Sequence, residues 1–67
     1  MKQYLKEVGA RIKSARNAKG LYLRDLGAIC KLDYRNICQI ENGKQDVLLS
    51  TLKRLAHALD KDVKDFL

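Results

Sequence analysis

LRDLGAICKLDYRNICQIEN, residues 23–42, is the stretch whose reading decides the fold. It reads as two short helices, 23–30 and about 34–42, joined by the tight turn Lys31-Leu32-Asp33. On a helix advancing about 100° per residue, Ile37 and Ile40 share one side. Arg35, Gln39 and Asn42, spaced i, i+4, i+7, form a stripe on the opposite side, flanked by Tyr34 and Cys38. Asp33 is positioned to cap the second helix with its carboxylate. Gly43 sits where a left-handed residue would end it. In the first helix Leu26, Ile29 and Cys30 are the expected inward positions, and Gly27 is small where two helices must approach. Leu32 is expected to plug the angle between them. The second helix so offers an apolar back and a front of Arg, Gln, Asn and Tyr. The first three carry the donor and acceptor geometry that reads base edges in the major groove. Any solvated amphipathic helix also has a polar front, so the rest of the chain must decide between the two readings.

The charge favours the first. The chain carries a formal +6, from 14 Lys and Arg against 8 Asp and Glu. Residues 1–44 hold 10 basic and 4 acidic side chains, and residues 45–67 hold 4 of each. The whole excess lies in the part that contains the helix pair. A polyanion is the simplest partner, with nucleic acid ahead of a membrane surface.

Outward from the pair, apolar residues recur at helical spacing. Leu5, Val8, Ile12 and Ala15 make one stripe on a helix over 2–19, which Gly20 stops. Leu21 is expected to fill the gap before the next helix. Residues 44–48 read as a loop. Leu49, Leu52, Leu55, Ala56 and Leu59 share a face of a helix over 49–59, broken at Asp60-Lys61. A last turn or two over 61–66 carries Val63 and Phe66, with Leu67 after it. A chain of 67 residues with no Pro and this periodicity is expected to be one all-α domain spanning 1–67, a compact bundle of about five short helices. No signal peptide or membrane span is visible, so the expected location is the cytoplasm, in association with the nucleoid.

Catalytic and metal chemistry find no support. Cys30 and Cys38, with the single His57 far away, lack the clustered spacing of a zinc site, so neither metal nor cofactor is expected. Cys30 reads as a small core residue. Cys38 lies beside the polar stripe and is a weak candidate for a redox-sensitive thiol. No paired carboxylates, phosphate-binding glycine loop or nucleophile with a matching base is present, which argues against an enzyme.

The pattern RIKSARNAKGL…DLGAICKLD…NICQIENGK…LSTLKRLAHALD…VKDFL resembles the phage repressor and Cro-type helix-turn-helix domains, the Xre family, over roughly residues 8–67. The most specific pieces are Ile37-x-x-Ile40-Glu41-Asn42-Gly43-Lys44 and the Leu52…Leu55-Ala56…Ala58-Leu59 run. The Leu-Asp before the second helix and the GKQDVLL loop look most like small regulators of the restriction–modification controller type. The resemblance implies a sequence-specific regulator of double-stranded DNA, with residues 23–42 as the motif and helix 34–42 in the major groove. It places base contacts on Tyr34, Arg35, Asn36 and Gln39. Phosphate contacts fall on Asn42 and Lys44, with Arg24 and Lys31 in place of the usual Gln, which here is Leu23. It matches Arg16 and Glu41 to a pair tying the first helix to the end of the recognition helix. It also implies a homodimer, for which the apolar cluster Leu59, Val63, Phe66 and Leu67 supplies the interface candidates, with the Val47–Leu49 loop as the alternative.

Besides Leu23, three further departures bear on function. Tyr22 stands where a capping Ser, Thr or Asn is usual, at a cost of about 1 kcal/mol to its helix. Lys31 stands at a left-handed turn position that usually holds Gly. Val47-Leu48-Leu49 replace basic loop residues. The last feature, with Leu23, supports a competing reading: a protein-interaction module on the same scaffold, such as an antitoxin or accessory subunit bound to a protein partner.

Overall fold

The computed structural model describes residues 2–67. Among the described residues four helices, α1 (Gln3–Ala18), α2 (Leu23–Cys30), α3 (Tyr34–Glu41) and α4 (Leu49–Ala58), are followed by a 3-10 turn at Val63–Phe66. The expected fifth helix is thus a single tight turn. α1 packs on α3 and on the C-terminal turn, and α2 packs on α3 and α4. The largest fully buried side chains are Ile12, Leu26, Ile37, Leu55, Leu59 and Phe66, so every element except the connecting loops contributes to one core.

All four helices end the same way. Just past each helix an N–H returns to a carbonyl five residues back: Leu21 to Arg16 at 3.2 Å, Leu32 to Gly27 at 2.9 Å, Lys44 to Gln39 at 2.9 Å and Lys61 to Ala56 at 2.8 Å. Each closure needs one left-handed residue, and these are Gly20, Lys31, Gly43 and Asp60. Lys31, at φ 58°, carries the steric cost of a Cβ there. Arg54 on α4 compensates by donating to the carbonyls of Cys30 and Lys31, which the end of α2 leaves unpaired. At the other end of α2 the Tyr22 side chain caps nothing. Instead the Asp25 carboxylate accepts the Tyr22 N–H at 2.8 Å, which offsets part of the missing cap.

α1 crosses the end of α3 backbone to backbone. A Cβ on Gly9 would lie 2.3 Å from the Ile40 carbonyl oxygen and 2.6 Å from that of Glu41. Only glycine fits this crossing. Gly27 plays the same part inside the motif, where a Cβ would lie 2.8 Å from the Leu32 carbonyl oxygen.

Two expected core positions are exposed. Leu26, Gly27 and Cys30 fix the centre of the buried arc of α2, and Ile29 falls roughly 100° away from it; it is 55 % exposed. Leu49, the first residue of α4, precedes the turn that packs and is 65 % exposed. Two dimer-interface candidates are corrected in the opposite sense. Leu59 and Phe66 are sealed in the core, because the C-terminal turn folds back onto α1 and α4. Arg11 fastens that turn, donating to the carbonyls of Phe66 at 3.3 Å and Leu67 at 3.2 Å. Of the four candidates only half-buried Val63 and exposed Leu67 have surface to offer.

Candidate nucleic-acid interface

The apolar side of α3 is fixed first. Ile37 and Ile40 are buried, and so is Glu41 at its last turn. A carboxylate there needs a cation, and Arg16 of α1 supplies it, with Nε 2.8 Å from Oε2 and Nη2 3.1 Å from Oε1. A third guanidinium donor reaches the Leu21 carbonyl at 2.7 Å. The hydrogen bond to Glu41 holds Arg16 even more firmly protonated than usual. Together with the burial of Ile37 and Ile40, this bidentate pair holds the rotation of α3 about its axis.

With that rotation set, the opposite side of α3 faces solvent. Arg35, Asn36, Gln39 and Asn42 are exposed, and Tyr34 and Cys38 are half-buried at the flanks. The side chains of Asn36 and Gln39 make no hydrogen bond within the chain, among the described residues. Asn42, the residue just past the helix, donates to Cys38 Sγ at 3.5 Å. Lys44 and Lys31 lie exposed at the two ends of the motif.

Two contacts were not legible in the sequence. Arg24 of α2 lies over the Tyr34 ring, 5.0 Å from its centroid, and Nη2 approaches the hydroxyl at 3.5 Å. The expected phosphate and base contacts of these two residues therefore form one stacked unit bridging α2 and α3. The second contact is at the start of α3. Asp33 accepts the Arg35 backbone N–H at 2.9 Å, as a cap should, but also takes the Arg35 side chain. Nε lies 3.1 Å from Oδ1, and Nη2 lies 2.9 Å from Oδ2. The guanidinium holds the Asp33 carboxyl below the usual aspartate range. Within-helix spacing alone did not reveal this pair, because a cap and the residue two positions on are not neighbours on a helix face.

Cys30 is buried, and burial pushes its thiol pKa up, as suits a core residue and not a nucleophile. Among the described residues no group of His, Cys, Asp and Glu is arranged to hold a metal ion.

These features define a class: a helix-turn-helix domain whose second motif helix is clamped from behind and polar in front. The chain belongs to the helix-turn-helix family of Xre type, a family of DNA-binding transcription regulators; the family model, described as "Helix-turn-helix", matches residues 12–66. Among solved structures it is similar to the restriction-modification controller protein C.AhdI from Aeromonas hydrophila, at 32% identity and a TM-score of 0.91. That match covers 94% of this chain and 96% of that one. It is similar to the clp gene regulator ClgR from Corynebacterium glutamicum at 28% identity and a TM-score of 0.92, covering 97% of this chain and 83% of that one. The controller protein C.Esp1396I matches at 26% identity and a TM-score of 0.89, covering 98% and 86%. Among curated proteins none matches the chain.

Proposed function

We propose that this protein is a sequence-specific regulator that binds operator DNA as a homodimer, α3 lying in the major groove. The observation that carries the reading is the exposed row Arg35, Asn36 and Gln39 on a helix whose rotation is fixed by Arg16 and Glu41. Arg35 and Gln39 read base edges, and Asn36 with Tyr34 contacts bases at the border of the row. Arg24, Lys31, Asn42 and Lys44 hold phosphates and supply the salt-dependent part of the affinity. The controller proteins and the clp gene regulator it resembles support this reading. Among the described residues no helix is long and apolar enough to cross a membrane, and the proposed place of action is the cytoplasm, on the nucleoid.

Reach supports the dimer. The molecule spans 27 Å at most, whereas half-sites one helical turn apart are centred about 34 Å from each other. One copy therefore reads one half-site. A largely apolar groove of about 170 Å³ is lined by Tyr4, Leu5, Val8, Val47, Leu49, Leu52 and Leu67, with Asp46 as its one charged lining residue. Leu67 is 72 % exposed and Leu48, beside the groove, 74 %. We assign the subunit contact to this surface. The same patch is what favours the second reading, a protein partner of different sequence.

Selection of duplexes from a random DNA pool, followed by titration at two salt concentrations, tests the proposal. A palindromic consensus bound with a steep salt slope is the expected result. Salt-sensitive binding without a consensus would remove sequence specificity. No binding at low salt would transfer the groove and loop to a protein partner.

A further inference from the structure

We infer that Asp33 is a positioning residue for base readout: it buttresses Arg35 so that one edge of the guanidinium is presented ready-made to guanine. The inference rests on the DNA-reading role proposed above and adds how one contact gains its selectivity.

A guanidinium has two edges that offer a pair of parallel N–H donors. The lateral edge, Nε with Nη2, is already taken by Asp33, at 3.1 and 2.9 Å. The terminal edge, Nη1 with the second N–H of Nη2, makes no hydrogen bond among the described residues, and the Arg35 side chain is 76% exposed. That terminal edge matches the paired O6 and N7 acceptors of guanine. Adenine presents one acceptor and one donor there and is rejected.

Asp33 is itself fixed. Its Oδ1 accepts the Arg35 backbone N–H at 2.9 Å as the cap of α3, so the carboxylate cannot swing without uncapping the helix. The helix thus locks the aspartate, and the aspartate locks the arginine. A long side chain normally loses rotamer freedom when it binds; one already held loses less and tolerates less misalignment. The cost is an anionic group near the phosphates. A device of this kind therefore exchanges total affinity for discrimination.

That exchange separates the proposal from plain helix capping. Asp33→Ser keeps a strong cap but leaves the guanidinium without a partner, and Asp33→Asn keeps the shape but loses the charge. Melting curves would first establish that both fold. Each would then be titrated against the selected duplex, its single-base variants and scrambled DNA. Arg35→Ala identifies the base pair that Arg35 reads. At that pair the preference for guanine should fall about three- to tenfold in the Asp33 variants, while affinity for scrambled DNA holds or rises. An unchanged or increased preference in folded Asp33→Ser would overturn the proposal, leaving Asp33 as a cap or a competitor for Arg35. If Arg35→Ala alters no base preference while Gln39→Ala does, the DNA-reading role stands and the buttress falls. If the wild-type protein selects no consensus at all, the reading on which the inference rests has failed.

Discussion

Arg16 and Glu41, 25 residues apart in sequence, meet in a two-point ion pair almost wholly removed from solvent, Nε to Oε2 at 2.8 Å and Nη2 to Oε1 at 3.1 Å. Because the charges are desolvated, loss of one partner leaves the other stranded. Glu41→Ala should cost about 3–5 kcal/mol, a large part of the stability of so small a domain. Urea denaturation monitored by circular dichroism would measure it. The double variant Arg16→Met with Glu41→Leu should recover most of the loss; equal destabilisation of single and double variants would mean the penalty is not an unpaired charge.

Gly9→Ala should destabilise although alanine is the better helix former by about 1 kcal/mol. The added Cβ would meet two backbone oxygens of α3 at under 3 Å. Backbone cannot yield as a flexible side chain can, so α1 and α3 must part. A net loss of about 1–3 kcal/mol is expected, read as a lower melting temperature. A rise in melting temperature would show that the helices do not cross this closely.

Gln39→Ala and Lys44→Ala should fail differently on DNA. Gln39→Ala should cost about 1–3 kcal/mol on the selected duplex and nothing on scrambled DNA. Lys44→Ala should weaken both alike and lower the salt slope by about 1. Fluorescence anisotropy at several salt concentrations separates the two. A Gln39→Ala variant with intact sequence preference would take that residue out of the readout.

Self-association should respond to Leu49 and not to the core. Leu49→Lys places a charge in the lining of the groove that Tyr4 and Leu67 share, so sedimentation should show a weakened dimer with the melting temperature of the monomer fold little changed. Phe66→Ala should instead destabilise the fold by about 3–5 kcal/mol, since that ring is buried. Its effect on the dimer is then secondary to unfolding. A Leu49→Lys protein that dimerises normally would move the interface elsewhere.

The acid limb of stability should carry the signature of exposed ion pairs. Lys19 hydrogen-bonds Asp60, and Arg35 hydrogen-bonds Asp33, and both carboxyls lie below the ordinary aspartate range. A carboxyl depressed by folding contributes stability that is complete above its unfolded pKa, about 3.9, and is lost as pH falls through its lower folded value. Asp60→Asn removes one such contribution while tolerating the left-handed backbone at that position. Its melting temperature should lie below wild type at about pH 6 and converge with it as pH drops below about 3. A constant gap would assign the difference to backbone or capping effects. The effect should be small and weakened by salt, since both groups are exposed.

Much of the candidate site is legible in the sequence. The stripe of Arg35, Gln39 and Asn42 follows from helical spacing alone, and so does the burial of Ile37 and Ile40. The Arg16–Glu41 pair was legible only through family likeness, since nothing local links two residues in different helices. Gly9 left a faint signal, a glycine inside the apolar stripe of Leu5, Val8 and Ile12. Ile29 and Leu49 were misplaced because apolar character marks what can be buried, not what finds a neighbour. Leu59 and Phe66 are closed to a partner because the C-terminal turn folds back on α1, a long-range contact that local spacing does not encode.

The sequence by itself determined the helices, their ends and the polar front of α3, because spacing, capping and turn chemistry act within a few residues of chain. Tertiary structure alone decided which donors remain free. Arg24 of α2 is stacked on Tyr34 of α3, and Arg54 of α4 closes the end of α2. Both depend on where separate segments come to rest. A side chain's polar atoms are committed by whatever partner lies within 3 Å or so, and that distance is set by packing, not by sequence spacing.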